Sequence, residues 1–246
     1  MDNTEDKGEE ISLNGIRVCV AIPCYGGVVP VEQLVAFASL FEVLPEYGIK
    51  MDIVIERENA LIACVRDKLV HRYLSQSSAE YLFFLDDDMI FTPEDFLNVL
   101  TLATKYNVVA GAYPARKEPA TFFIRLPEGK ENPEFDPKFG LIKACGTGLG
   151  FVCIKREIIE KFAEDCEAYN HKELKGLKNI FKVGVKDNRY FGEDIWFFED
   201  LYNKYNQPVW IHPLVSPVHV GRKDYDYKLK DNIKPSETKF IDQEKE

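Results

Sequence analysis

The chain has 246 residues, 46% of them hydrophobic, six cysteines and a formal charge of -10. That length suits one large domain, or a domain with an appendage, able to fill a core without disulfides. The acidic balance excludes broad nucleic-acid binding, which needs Lys and Arg against phosphates, and no apolar run approaches the roughly 20 residues that span a bilayer.

The opening MDNTEDKGEE is polar and acidic and lacks the basic start and apolar stretch of a secretion signal. A cytoplasmic protein is expected, with residues 1–13 a disordered acidic leader and residues 14–222 the domain. The cysteines (Cys19, Cys24, Cys64, Cys145, Cys153, Cys166) form no CxxC pair and have no histidine at zinc-finger spacing, so reduced structural thiols are expected.

RVCVAIP (17–23) reads as a buried strand, and the Gly- and Pro-rich CYGGVVP after it as a turn. VEQLVAFASLFEVLPEYG follows as a helix ending near Pro45 and Gly48, and KMDIVIE (50–56) as a second strand. In NALIACVRDKLVHRYL, Leu61, Val65, Leu69 and Tyr73 recur every four residues, which predicts a helix with one buried stripe. EYLFFLD (80–86) is a third strand. Thr92, Pro93 and Asp95 then stand in the order of a capping box with proline at the first helical position. NVVAGAY (107–113) is the next strand. Three alternations of strand and helix predict an α/β fold with a mostly parallel sheet covered on both faces.

Beyond Tyr113 the pattern changes. ATFFIRL is a candidate strand, PEGKENPEFDPKFG a polar loop, and LIKACGTGLGFVCIKREIIEKF strand, glycine turn, strand and helix. The charged segment 166–190 reads as an irregular, mobile loop. FGEDIWFFEDLYNKY is a further helix, QPVWIHPLVSPVHVG holds short strands broken by prolines, and residues 223–246 form a weakly ordered tail or lid.

Asp86, Asp87 and Asp88 stand at the carboxyl end of the third strand, the edge where ligands bind in open α/β sheets. Three adjacent like charges behind an apolar run need compensation. Side chains two apart on an extended chain share a side, so Asp86 and Asp88 are expected to face one crevice and Asp87 another. A hard divalent cation, Mg2+ or Mn2+, suits carboxylate and phosphate oxygens together. The plain alternative is an acidic loop stabilising the helix that follows.

A strand ending in this triplet, after the helix element ALIACVRDKL, resembles the nucleotide-sugar-dependent glycosyltransferases of the GT-A fold with their DxD motif, over roughly residues 14–222. The resemblance implies a Rossmann-like sheet with a smaller mixed C-terminal acceptor portion. It implies a nucleoside-diphosphate sugar donor of UDP or GDP type, and a hydroxyl acceptor on a glycan or glycosylated protein. By the same resemblance Asp88 binds the metal, Asp86 joins it as a ligand or contacts the ribose or a metal-bound water, and His219 in SPVHVG completes the shell, with His212 the lesser candidate. GEDIWFFEDL is similar to the acidic motif beside the acceptor, where Asp194, or else Glu193, acts as general base.

CGTGLGF carries GxGxG rather than GxGxxG and leads into a strand-like run, which argues against a dinucleotide site. The resemblance makes Gly146, Thr147 and Gly148 a loop beneath donor and acceptor; a plain turn is the alternative. It also brings Ile22, Pro23, Tyr25, Asp87 and Arg66 to the nucleotide and offers Arg116 and Lys117 as diphosphate partners. Arg66 could equally be a solvated charge. A sugar-phosphate nucleotidyltransferase is a rival reading, disfavoured because PCYGGVVP has no Lys or Arg; a non-catalytic nucleotide-sugar or glycan binder is another.

Overall fold

The structure, a computed structural model, describes residues 11–57, 59–186, 188–221 and 224–231. The expected leader over residues 1–10 and most of the expected tail lie outside the described residues. Leu13 and Leu229, inside them, are buried.

The first half runs β1 (Arg17–Cys24), α1 (Val31–Val43), β2 (Lys50–Arg57), α2 (Ile62–Gln76), β3 (Tyr81–Leu85), β4 (Met89–Ile90), α3 (Pro93–Tyr106) and β5 (Val108–Gly111). Next come β6 (Ile124–Arg125), β7 (Glu134–Phe135), β8 (Ile142–Ala144), β9 (Gly146–Thr147), β10 (Phe151–Lys155) and α4 (Arg156–Glu164). The chain continues through β11 (Ala168–His171), β12 (Leu174–Lys178), β13 (Gly184–Lys186), β14 (Arg189–Phe191), α5 (Glu193–Tyr205), β15 (Val209–His212), β16 (Val218–Val220) and β17 (Asp224–Tyr225).

The central sheet has eight strands in the order β2-β1-β3-β10-β5-β15-β8-β7. Only β10 and β8 run against the others, so the sheet is mostly parallel by direction. Alternate residues of β1 feed two cores. Cys19 and Ala21 pack with α2, α4 and α5, while Val18, Val20 and Ile22 pack with α1 and α3 on the other face. The expected α/β architecture is therefore present; three two-stranded sheets lie C-terminal to β5, and a three-stranded one joins β4 of the first half to β16 and β17.

The helix signals act as physics requires. Thr92 accepts the Asp95 N–H at 3.1 Å while Asp95 accepts the Thr92 N–H at 2.9 Å, closing the capping box of α3. Val65, Leu69 and Tyr73 form the buried stripe of α2; Leu61 instead sits at the cap and is exposed. All six cysteines are free.

Two expectations need correction. β3 ends at Leu85, and residues 86–89 make a turn in which the Met89 N–H reaches the Asp86 carbonyl, so strand alternation does not set the directions of the aspartates. Much of 166–190 is ordered as hairpins rather than an irregular loop: β11 pairs with β12, and β13 with β14. Asp67 on α2 holds this region by accepting from the Tyr169 hydroxyl (2.8 Å) and the Ile180 and Phe181 N–H groups (3.0 and 3.1 Å).

Candidate active site

The acidic turn is braced from two sides. The Asp86 N–H donates to the Gly150 carbonyl (3.0 Å), and Gln33 on α1, wholly buried, donates from Nε2 to the carbonyls of Asp86 (2.8 Å) and Met89 (2.9 Å). These bonds satisfy groups that a buried turn leaves open.

Each aspartate has its own surroundings. Asp86 turns both oxygens to Arg66 Nη2, at 2.9 and 3.2 Å. Asp87 lies against the Cys24 thiol and is half-buried, and its pKa is pushed up first by burial and then by the Asp86 charge. Asp88 pairs through Oδ2 with Arg116, and the same oxygen lies 3.7 Å from His219 Nε2.

Arg66 is 3% exposed, which removes the solvated reading. Besides Asp86 it meets Glu193 through Nε at 3.4 Å, and it lies over the Phe84 ring at 5.3 Å. Burial opposes its charge, but Asp86 and Glu193 together raise its pKa. The guanidinium thus ties the acidic turn to the start of α5.

The shell expected from Asp86, Asp88 and His219 is only partly assembled. Among the described residues no group of three or more His, Cys, Asp or Glu side chains is set to hold a metal, and Asp86, expected as a ligand, is engaged by Arg66. Asp88 and His219 do fit a hard cation. Asp88 Oδ1 is buried without a hydrogen-bond partner, so although Arg116 balances the charge through Oδ2 this oxygen keeps an open acceptor position. His219 Nδ1 contacts the Pro114 carbonyl at 2.8 Å, which makes Nδ1 the protonated nitrogen and leaves the Nε2 lone pair toward Asp88. Burial lowers the His219 pKa, so the ring is held neutral. His212, the lesser candidate, accepts the Leu214 N–H at 3.2 Å through Nδ1, and burial lowers its pKa to about 4.

A cleft of about 370 Å³ opens beside the turn, lined by Pro23 and Tyr25 from the end of β1, by Asn59 and Ile62 at the start of α2, and by the three aspartates. The structure therefore brings Pro23, Tyr25, Asp86, Asp87 and Asp88 to one cavity. Ile22 does not join them, because its position in β1 turns its side chain into the core. Lys117 is exposed, and its neighbour Arg116 is the residue that reaches Asp88.

The glycine segment closes the other wall. Gly146 and Thr147 form β9 and pair with β6. A Cβ on Gly148 would lie 2.1 Å from the Tyr113 hydroxyl, and one on Gly150 would lie 2.8 Å from that hydroxyl and 2.9 Å from Asp86 Oδ2. These glycines therefore admit a tyrosine and a carboxylate to the backbone. The Tyr113 hydroxyl accepts the Gly150 N–H at 2.8 Å, and its ring meets His219 edge-on at 5.3 Å. Burial, and next the Asp86 charge, push its pKa far up, so the phenol keeps its proton.

At the start of α5 the two acids differ. Glu193 is held by Arg66. Asp194, whose Oδ1 accepts the Ile195 N–H at 2.7 Å, has its pKa raised to about 6 by burial and then by Glu193. Asp194 can therefore exchange a proton near neutral pH.

Gln33 and Tyr113 escaped sequence reasoning. A polar residue on the inner stripe of an apolar helix marked Gln33, and a position just past a strand's carboxyl end marked Tyr113.

An α/β sheet with an acidic, partly buried cluster at its carboxyl edge defines the class of site. No protein-family model matches the chain, and no curated protein matches it. Among solved structures, A197 from STIV shares the fold at a TM-score of 0.53 and 22% identity, over 84% of this chain and 86% of that one. GalNAc-T7, solved with UDP, GalNAc and Mn2+, gives a TM-score of 0.46 at 10% identity, over 85% of this chain and 44% of that one, too distant to carry a functional argument. Among the described residues no helix is long and apolar enough to cross a membrane.

Proposed function

We propose that the chain is a glycosyltransferase, moving a sugar from a nucleoside-diphosphate donor of UDP or GDP type to a hydroxyl on a glycan or glycosylated protein. The observation that carries this reading is that Arg66 links the acidic turn beside a cleft to Glu193 at the start of α5, where Asp194 is the next residue. The acidic turn and the helix start that carries Asp194 are thereby tied by one buried cation.

Pro23, Tyr25 and Ile62 offer the nucleotide an apolar wall, and Arg116 offers its diphosphate a cation. Asp88 and His219 would hold Mn2+ or Mg2+, which when bound neutralises charge on a departing diphosphate. Asp194 takes the proton of the acceptor hydroxyl as that oxygen forms its bond to the anomeric carbon. The bond from that carbon to the diphosphate breaks, its electron pair leaves with the diphosphate, and one displacement inverts the configuration. Arg66 keeps Glu193 out of this role by pairing with it.

Thermal stabilisation by UDP-, GDP- and CMP-sugars, each with and without Mn2+, tests the reading, since a ligand of the folded state raises its melting temperature. One donor should stabilise the wild type, more strongly with Mn2+, and the gain from Mn2+ should vanish in Asp88→Asn and His219→Ala. If no sugar nucleotide stabilises the chain under either condition, the proposal is wrong.

A further inference from the structure

Helix α1 buries one stripe and leaves another of the same character in water. Gln33, Ala36 and Leu40 are buried, with Phe37 packed edge-on against Phe91 at 5.5 Å. On the far side Val31, Leu34, Val35, Ala38 and Phe41 follow the spacing i, i+3, i+4, i+7, i+10 and are exposed. That is the pattern of a helix face meeting another helix. Val28 and Val29 extend it into the preceding loop. The six large side chains here are between 42% and 73% exposed. At ~100 Å² from each they offer roughly 600 Å² of apolar surface, at the top of what a monomer leaves open and most of the ~800 Å² per partner in a standard interface.

Charge narrows the occupant. From residue 18 to residue 49 the chain has no Lys or Arg. An amphipathic helix that lies on an anionic membrane carries cations along the edges of its own apolar face, and α1 carries none. The only charges on α1 are Glu32 and Glu42, near its two ends.

We infer that this face is the contact between two copies of the chain, packed α1 against α1 about a twofold axis. The stripe complements itself: run antiparallel, Leu34 of one copy meets the small Ala38 of the other, and Phe41 meets Val31. Interdigitation of i, i+4 ridges crosses such helices at about -50°, so contact is closest at Val35 and Ala38 and the ends diverge. The acidic ends then stand apart by about a Debye length in physiological salt, where their repulsion is screened.

Light scattering on eluting full-length protein, loaded from ~1 to ~100 µM, tests this at concentrations where an interface of this size associates. The wild type should show twice the 28.3 kDa chain mass. Val35→Glu, which buries a charge at the centre of the contact, should elute at the single-chain mass. Its far-ultraviolet spectrum should match the wild type, because Val35 faces solvent in the single chain. Leu34→Ala should shift the dimer–monomer midpoint to higher concentration by tenfold or more. A wild type that stays single at every loading overturns the inference, whether its face then proves vacant or takes vesicles or another protein. So does a Val35→Glu variant that remains double, since the contact then lies elsewhere.

Discussion

Replacing Arg66 with methionine removes the one cation that Asp86 and Glu193 share. Methionine keeps much of the volume, so the main loss is electrostatic. Arg66 is 3% exposed, and its partners lie at 2.9 and 3.4 Å with side chains 23% and 15% exposed. Breaking a buried pair by removing one member costs about 3–5 kcal/mol, because the remaining charge is stranded. In a protein of this size that is ~6–20 °C of melting temperature. Urea unfolding at pH 7.5 reads that deficit directly. Arg66→Lys should recover part of the loss at pH 7.5, since an ammonium meets one carboxylate well but not two. A methionine variant within about 1 kcal/mol of wild type at pH 7.5 would refute the claim that this guanidinium holds the site together.

Asp194→Asn should lower turnover by at least ~100-fold while donor affinity, read by calorimetry, stays near wild type. With the Asp194 pKa at about 6, transfer should fall as pH drops through that value, from roughly nine-tenths ionised at pH 7 to one-tenth at pH 5; a flat profile across this window removes it as the base. Burial raises the Asp67 pKa to about 6 in the folded state, above its unfolded value. The fold therefore binds this proton more tightly, and the stability it contributes is complete below the unfolded pKa and lost as pH rises through about 6. Asp67→Asn can still accept from Ile180 and Phe181 and donate to Tyr169, so it should gain ~1–3 kcal/mol at pH 7.5 in urea unfolding and flatten that pH dependence. Gly148→Ala should destabilise by at least ~1–3 kcal/mol through its clash with the Tyr113 hydroxyl, and Tyr113→Phe in the same chain should return part of that, a coupling read by a double-mutant cycle.

The first half of the fold was legible because its signals are local. The capping box of α3 spans four residues, and the stripe of α2 repeats within one helix. The acidic triplet was legible too, since its strand and its place at the carboxyl edge follow from the alternation before it. Its internal geometry was not. Partners that decide where each aspartate points are far away in the chain: Arg66 is 20 positions from Asp86, Gln33 is 53, and Arg66 and Glu193 are 127 apart. The hairpins within 166–190 were hidden for the same reason. Their sequence is charged and weakly periodic, and Asp67, 102 positions before Tyr169, anchors them.

Gln33 has a consequence for how the molecule can move. Its amide grips the acidic turn from a helix whose opposite side is open to water. Helix and turn are therefore mechanically one piece: a displacement of α1 drags the backbone of Asp86 and Met89 with it, and a shift of that backbone pulls on the helix in return.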